Sequence, residues 1–364
     1  MKITRRIFRG FTIFLLSTLM VTLISFGLTS CSAPKSSSAP SSEQPATQSP
    51  SKKTLDIALV IPSTESQYWG QYIAIGAQNA CLDIKEKYGI DAKLTVYGPT
   101  AEAETDKFLN ILEGVISKKP DAIVLGNLIP DSTAPLVEQA AKAGIYVNLV
   151  SLGITDKENS YGTLYYCDQP EQGKLAAEAF VKLLEKKGLP KNGVVGVHMS
   201  VVVPILEEKI KNFKDRLKEL LPDVQILDTV YNENDVNKAQ ANVENQISTY
   251  GDKLIGFFGG NNISGDGICL AVKNAGIANK IVSVAVDSDD LEIEALRAGN
   301  IDALIVQTPY AQAYQATMNC YEYLFNKKSD PKGVNISAKV VTKENMDQEE
   351  YKTLLNPLLL KRTP

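Results

Sequence analysis

Polar side chains follow several short apolar runs of the sequence, where strands of a sheet would end. These residues are Asn127, Asn261, Asp287 and Gln307. Their amide and carboxylate groups can donate to and accept from the hydroxyls of a small molecule. Each of them would be an ordinary turn residue by itself. Their recurrence at several strand ends predicts a binding site built from hydrogen bonds.

An aromatic side chain, Trp69, stands at the start of the first predicted helix, just after the first apolar run. At the carboxyl end of a strand it can stack on the flat apolar face of a ligand, and the alternative is simple packing of the helix start. Just before Asn261, Gly259 and Gly260 permit a tight turn. We expect Asn262 to cap the following helix and Asn261 to face the cleft.

The residue types argue against an enzyme. The chain has one histidine, His198, and none of the nucleophile-elbow, phosphate-loop or dinucleotide-binding motifs. His198 ends a strand and is interpreted as a packing or ligand-edge residue. The acidic run from Asp287 to Asp290 lacks the spacing of an EF-hand and is interpreted as a helix cap. No metal site and no cofactor are predicted.

The elements that position these residues alternate between strands and helices. Strands are predicted at 56–62, 91–97, 121–126, 145–150, 193–199, 224–230, 253–259, 281–286 and 301–306. Helices are predicted at 68–88, 101–119, 131–143, 169–187, 204–221, 235–250, 262–275, 290–298 and 309–326. Continuous apolar strands between amphipathic helices indicate parallel sheets covered on both faces. The fold class is α/β, with two doubly wound parallel-sheet lobes whose strand ends face the ligand.

The charge balance excludes a nucleic-acid partner. The chain has 38 basic and 42 acidic side chains, for a net charge of −4. A nucleic-acid-binding chain normally carries a basic surplus. With 364 residues and 44% hydrophobic content, the chain can bury two sizeable cores.

The N-terminus has the layout of a secretory signal. A basic stretch at 1–9 precedes an apolar stretch at 11–28. The end of this stretch, Leu28-Thr29-Ser30-Cys31, resembles the lipobox of bacterial lipoproteins. We therefore predict a signal peptide at 1–30 and lipidation of Cys31, the alternative being an uncleaved membrane anchor. Both place the rest of the chain outside the cytoplasm.

Residues 31–53 are interpreted as a lipid-anchored tether. They are rich in serine and proline and have no large apolar side chain, so they cannot bury enough surface to fold. Four further cysteines follow, and none forms a C-x-x-C pair: Cys81, Cys167, Cys269 and Cys320. Their disulfide state stays open at this point.

From residue 54 to about 345 the chain resembles the type 1 periplasmic binding proteins, in particular the ribose/galactose-type sugar-binding branch. The matching stretches are DIALVIPS at 56–63, DAIVLGN at 121–127, DQPEQGKLAAEAF at 168–180, FFGGNNISGDG at 257–267, SVAVDSD at 283–289 and ALIVQTP at 303–309. The resemblance implies two lobes joined by a three-crossing hinge near 166–167, 307–308 and 335–336. It implies an N-terminal lobe of 54–166 plus 308–335 and a C-terminal lobe of 167–307 plus 336–364.

The resemblance also assigns site residues. Trp69 matches an aromatic that sandwiches a sugar ring, and the four polar strand-end residues match groups that bind sugar hydroxyls. Lys209 stands where an arginine is usual, and Asn234 where an aromatic is frequent.

The chain departs from the family pattern mostly in the first lobe. Ser151 replaces part of an Asp-Arg pair, and Gly70 replaces a second stacking aromatic. The charge-assisted hydrogen bonds that the aspartate of this pair would accept are therefore missing. Candidates to compensate are Glu65, Tyr68, Ser151 and Tyr166.

The implied function is that of an extracytoplasmic, lipid-anchored solute-binding protein of an ABC importer. A monosaccharide is the expected ligand, and the permease and ATPase subunits are the expected partners of a monomeric protein. Two alternatives stay open. One is a sensor for a membrane kinase or chemoreceptor, and the other is a binder of a nucleoside or a furanosyl signalling molecule.

Overall fold

A computed structural model describes residues 53–155 and 157–363. The predicted signal peptide, the lipidation site Cys31 and the predicted tether up to residue 52 lie outside these residues. Among the helices in the described part of the chain, none is long and apolar enough to cross a membrane.

The elements follow the alternation expected from the sequence. The first part contains β1 (Thr54–Val60), a π-helical turn (Gln67–Ile73), α1 (Ala74–Tyr88), β2 (Asp91–Tyr97), α2 (Thr105–Lys118), β3 (Ala122–Asn127), α3 (Pro130–Lys142), β4 (Tyr146–Ser151), a 3₁₀ turn (Glu158–Ser160) and β5 (Leu164–Tyr166). The second part contains α4 (Gln169–Lys186), β6 (Val194–Met199), α5 (Pro204–Leu220), β7 (Gln225–Tyr231), α6 (Val236–Tyr250), a 3₁₀ turn (Gly251–Lys253), β8 (Leu254–Gly259), α7 (Asn262–Ala275), β9 (Val282–Val286), α8 (Asp290–Ala298) and β10 (Ala303–Val306). The chain continues with α9 (Pro309–Asn326), β11 (Gly333–Asn335), β12 (Lys339–Thr342), α10 (Glu349–Leu355) and a 3₁₀ turn (Pro357–Leu360).

The strands form two six-stranded sheets. The first sheet has the order β11-β5-β4-β3-β1-β2, and the second has the order β12-β10-β9-β8-β6-β7. All pairs of the described strands are parallel except β10 with β12. The two sheets therefore repeat one topology, which confirms the predicted α/β class of two doubly wound parallel-sheet lobes.

The described chain passes between the two sheets after β5, after β10 and between β11 and β12. The helix α9 belongs with the first sheet, because Ala313, Ala316 and Cys320 share a core cluster with β1. The first and second lobes are named here after their sheets.

Each sheet is buried on both faces by helices. In β1, Ile57 and Leu59 join the core formed with α1 and α9, whereas Ala58 and Val60 join the core formed with α2 and α3. Successive side chains of a strand point to opposite faces, so both faces must be apolar. This requirement explains the continuous apolar runs in the sequence.

The end of the described chain returns to the first lobe. Leu355 of α10 packs in a core cluster of the second lobe. A few residues later, the carbonyl oxygen of Leu360 accepts a hydrogen bond from Asn79 Nδ2 at 2.7 Å. Arg362 forms an ion pair with Asp83 of α1 at 2.5 Å. The C-terminal segment thus links the two lobes in addition to the crossings between the sheets.

Close packing of α4 on α5 depends on Gly173. A β-carbon at this position would lie 2.2 Å from the carbonyl oxygen of Lys209. Gly173→Ala should push the helices apart and lower the free energy of unfolding by about 1–3 kcal/mol. Gly114 of α2 is the control, because a β-carbon there meets nothing within 4 Å. Gly114→Ala should raise that free energy by about 0.5–1 kcal/mol. Denaturant titration measures both, and equal effects would contradict the close packing.

Candidate functional site

A cavity of about 590 Å³ lies where the carboxyl ends of the two sheets meet. Each strand from β1 to β10 except β5 contributes its last residue or a residue that follows it before the next regular helix, and Gln169, the first residue of α4, lines the cavity after β5. The polar and aromatic residues that line the cavity are Ser66, Gln67, Tyr68, Trp69, Tyr72, Glu102, Ser151, Gln169, Ser200, Lys209, Asn234, Asn261, Asn262, Asp287, Ser288, Asp289 and Gln307. This is the position at which doubly wound sheets bind ligands.

Trp69 both lines the cavity and packs into the first lobe. Its side chain is 3% exposed and belongs to the core cluster of β1 and α1. A β-carbon on Gly126 would lie 2.7 Å from the indole, so the glycine leaves room for the ring. Tyr68 meets the ring edge-on, with centroids 4.9 Å apart, and Glu102 accepts a hydrogen bond from the indole. The predicted stacking and packing roles therefore coexist in one rigid wall.

Asp287 is held in place from several sides. Gln307 Nε2 donates to its Oδ1 at 2.6 Å, and the backbone N–H of Asn262 donates to its carboxylate. Its φ is +84°, a left-handed conformation that a non-glycine residue rarely adopts. Burial raises the pKa of the Asp287 carboxyl, while the nearby charge of Lys209 and the Gln307 hydrogen bond oppose this shift.

Lys209 supplies a positive charge inside the wall. Its side chain is 2% exposed, and Nζ donates to the carbonyl oxygen of Gly260 at 2.9 Å. Burial lowers the pKa of the Lys209 ammonium, and the charge of Asp287 opposes that shift. Lys209 thereby fixes the turn before Asn261, and its positive charge interacts with the carboxylate of Asp287.

Asn261 has two roles. Its side-chain oxygen accepts from the backbone N–H of Ser264 at 3.3 Å, so it caps α7, and its Nδ2 donates to Ser200 Oγ at 3.1 Å. The expectation that Asn262 caps the helix is wrong, because Asn262 is the first helical residue and donates to Asp289 at 3.2 Å. Asn234 also lines the cavity, with a φ of +61°.

Asn127 does not line the cavity, contrary to the expectation from the sequence. It is fully buried, its Nδ2 donates to the carbonyl oxygen of Leu152 at 3.0 Å, and its Oδ1 accepts from Thr133 at 2.9 Å. Both ends of the amide are therefore used to join the loops after β3 and β4. A ligand would have to break these bonds to reach the side chain.

His198 is a packing residue. It is fully buried in β6, with Nε2 3.0 Å from Gln246 Oε1, and its ring meets Phe257 edge-on. Burial lowers the pKa of the imidazole to about 4, so the ring is neutral at physiological pH.

Other lining residues had weaker signals in the sequence. Of the four candidates to compensate for the first-lobe departures, Tyr68 and Ser151 line the cavity, and Glu65 and Tyr166 do not. Glu102 follows β2, a strand end that the sequence analysis did not single out. Leu354 comes from α10, which no periodic pattern predicts.

No group of three or more acidic, histidine or cysteine side chains in the described residues is arranged to hold a metal ion. The four described cysteines are buried and unpaired. Buried free cysteines behave as small apolar side chains.

The family follows from the sequence. A sequence model described as the periplasmic binding protein domain matches residues 57–328. The chain belongs to this family. Its members bind solutes, which agrees with a site that has strand-end hydrogen-bonding groups and no recognisable catalytic arrangement.

Solved structures of periplasmic binding proteins share the fold. An ABC transporter solute-binding protein from Agrobacterium vitis with bound D-fucose is 26% identical, with a TM-score of 0.68 over 82% of this chain and 99% of that chain. A second solute-binding protein from Agrobacterium vitis, bound with alpha-D-tagatopyranose, is 24% identical, with a TM-score of 0.69 over 83% and 99%. A sugar-binding protein of a Bacillus halodurans sugar ABC transporter is 19% identical, with a TM-score of 0.69 over 81% and 98%.

This periplasmic binding protein buries acidic side chains behind the cavity wall. Asp289 lines the cavity and caps α8 by accepting from the backbone N–H of Glu292 at 3.0 Å. Glu292 is fully buried, and neither of its carboxylate oxygens has a hydrogen-bond partner. Burial raises the pKa of Asp266 to about 8, and the charge of Asp289 adds to the shift. Asp266 is therefore protonated at neutral pH.

The raised pKa of Asp266 makes stability depend on pH. Between about pH 4 and pH 8 the folded state binds more protons at this group than the unfolded state, so stability falls as pH rises through that window. Asp266→Asn should remove this loss and raise the melting temperature more at pH 8 than at pH 5. Asp290→Asn, at an exposed position, is the control. Thermal melts across pH measure both. An Asp266→Asn gain that is the same at every pH would contradict the assignment.

Proposed function

We propose that this protein is an extracytoplasmic solute-binding protein that delivers a monosaccharide to an ABC importer by closing its two lobes over the ligand. The observation that carries the proposal is the cavity at the strand ends, to which both lobes contribute hydrogen-bonding groups. Structural relatives from Agrobacterium vitis with bound D-fucose and alpha-D-tagatopyranose support a sugar as the solute.

The chemistry of the second-lobe wall suits sugar hydroxyls. Asp287 provides acceptor oxygens whose orientation is fixed by Gln307. A carboxylate forms charge-assisted hydrogen bonds, which are shorter and stronger than neutral ones. Asn261, Asn234 and Gln307 add amide groups. Trp69 and Tyr68 offer an aromatic wall for the apolar face of a sugar ring.

Closure follows from the division of these groups between the lobes. A ligand that contacts both lobes lowers the free energy of the closed form, so it shifts the population toward closure. We propose that the lobes comprise 54–166 plus 308–335 and 167–307 plus 336–364, and that they rotate about the crossings near 166–167, 307–308 and 335–336. The contacts of Arg362 and Leu360 with α1 then add a further connection that must accommodate the rotation.

We further propose a monomer tethered to the membrane through lipid on Cys31. The anchor would keep the binding lobes beside the permease, and ATP hydrolysis by the partner subunits would drive transfer. Cell fractionation of Cys31→Ser tests the anchor, because release from membranes supports lipidation and retention supports an uncleaved span.

Asp287→Asn tests the binding role directly. The substitution keeps size and removes charge, so the affinity for a bound monosaccharide should fall by about tenfold or more, because hydrogen bonds to charged groups contribute about 1.5–3 kcal/mol. Asp290→Asn is the control, since Asp290 follows the same strand and does not line the cavity. Calorimetric titration with D-fucose, D-tagatose, D-arabinose and D-allose measures both. Wild-type affinity in Asp287→Asn would place the ligand elsewhere.

A further inference from the structure

The loop after β6 and the first turn of α5 give the cavity an apolar side. Val201, Val203 and Ile205 all line the cavity, and none of them belongs to a hydrophobic core cluster. Ile205 is 36% exposed, and Val203 is half-buried. Apolar side chains that face a cleft without packing into the core mark a surface for a ligand or partner.

The first lobe is also less polar than the second at the matching position. Ser151 ends β4, and Asp287 follows β9, the corresponding strand of the second sheet. Their φ angles are +81° and +84°, so the two lobes repeat the backbone conformation. The carboxylate is present in one lobe only. Next to Ser151, Leu152 adds a further apolar side chain to the lining, outside the core clusters.

The cavity therefore combines two chemistries. Hydrogen-bonding groups lie at the strand ends of the second lobe, around Asp287, Gln307 and Asn261, while Leu152 and the apolar residues of 201–205 present carbon atoms. Its volume of about 590 Å³ falls in the range of about 300–1,000 Å³ that is typical of sites for drug-sized ligands. A fully hydroxylated sugar would have to leave hydroxyls facing the valine side chains without partners, which costs affinity.

We propose that the ligand is a monosaccharide with an apolar substituent, either a deoxy carbon or the aglycone of a glycoside, and that this substituent packs against Val201, Val203 and Ile205. The inference rests on the proposed sugar-binding function and specifies the class of sugar.

The test compares three matched ligands on the purified full chain by calorimetry. In the galactose series the ligands are D-galactose, its 6-deoxy form D-fucose, and phenyl β-D-galactoside. The glucose series and the allose series each consist of the free hexose, its 6-deoxy form and its phenyl β-glycoside, which gives nine sugars in all. In the series that binds best, we expect the 6-deoxy or the phenyl form to bind about tenfold more tightly than the free hexose, at the lower end of what one methylene discriminates in an apolar pocket.

Two variants test which residues cause the preference for the 6-deoxy or phenyl form over the free hexose. Val203→Ser combined with Ile205→Ser should reduce this preference to less than threefold. Val202→Ser is the control, because Val202 is 69% exposed and does not line the cavity, and it should keep the preference.

The outcomes separate the two proposals. A free hexose that binds as tightly as its 6-deoxy and phenyl forms, or a preference that survives in the double variant, overturns the apolar subsite and leaves sugar binding intact. The loop would then be a surface for another partner, such as the permease. If the folded protein binds none of the nine sugars and neither D-tagatose nor D-arabinose, the sugar assignment fails and the inference fails with it.

Discussion

The cavity depends on one fixed carboxylate. Asp287 is held by Gln307 and by the backbone of Asn262, opposite the buried charge of Lys209. Burial raises the pKa of Asp287, and these partners offset the cost of keeping a charge there. A carboxylate that is already oriented and partly desolvated loses little on binding a hydroxyl, which is the advantage of a preorganised site. The left-handed backbone at this position is maintained because the surrounding strand ends determine it.

The repetition of the fold explains why such a site lies between the lobes. Both sheets share one strand order, so both present their carboxyl ends to the same cleft. The two lobes share this strand order but not their side chains, because Ser151 of the first lobe occupies the position that Asp287 occupies in the second. Under the proposed function, the tight hydrogen bonds come from the second lobe, while the first lobe lines the cavity with Trp69 and Tyr68. Closure brings the two kinds of surface onto one ligand.

The sequence predicted the architecture well and the site in part. Helices at 262–275, 290–298 and 309–326 are found with the predicted bounds, because side-chain caps and terminal glycines mark the ends of the first two and Pro309 marks the start of the third. The short strands β5, β11 and β12 have too few residues for a periodic pattern. The prediction for Asn127 was wrong because a polar residue at a strand end can form its hydrogen bonds with the neighbouring loops rather than with a ligand. The apolar lining at 201–205 was not predicted from the sequence, because an apolar residue is assigned to the core until its burial is known.

The measurement that tests the account most directly uses Trp69, the single tryptophan of the chain. Its indole lines the cavity beside Tyr68, so its emission reports on that wall alone. Titration with a sugar that binds by calorimetry should change the emission in a saturable way, with the same dissociation constant. Calorimetric binding at saturation with unchanged Trp69 emission would contradict a sugar site between the two lobes.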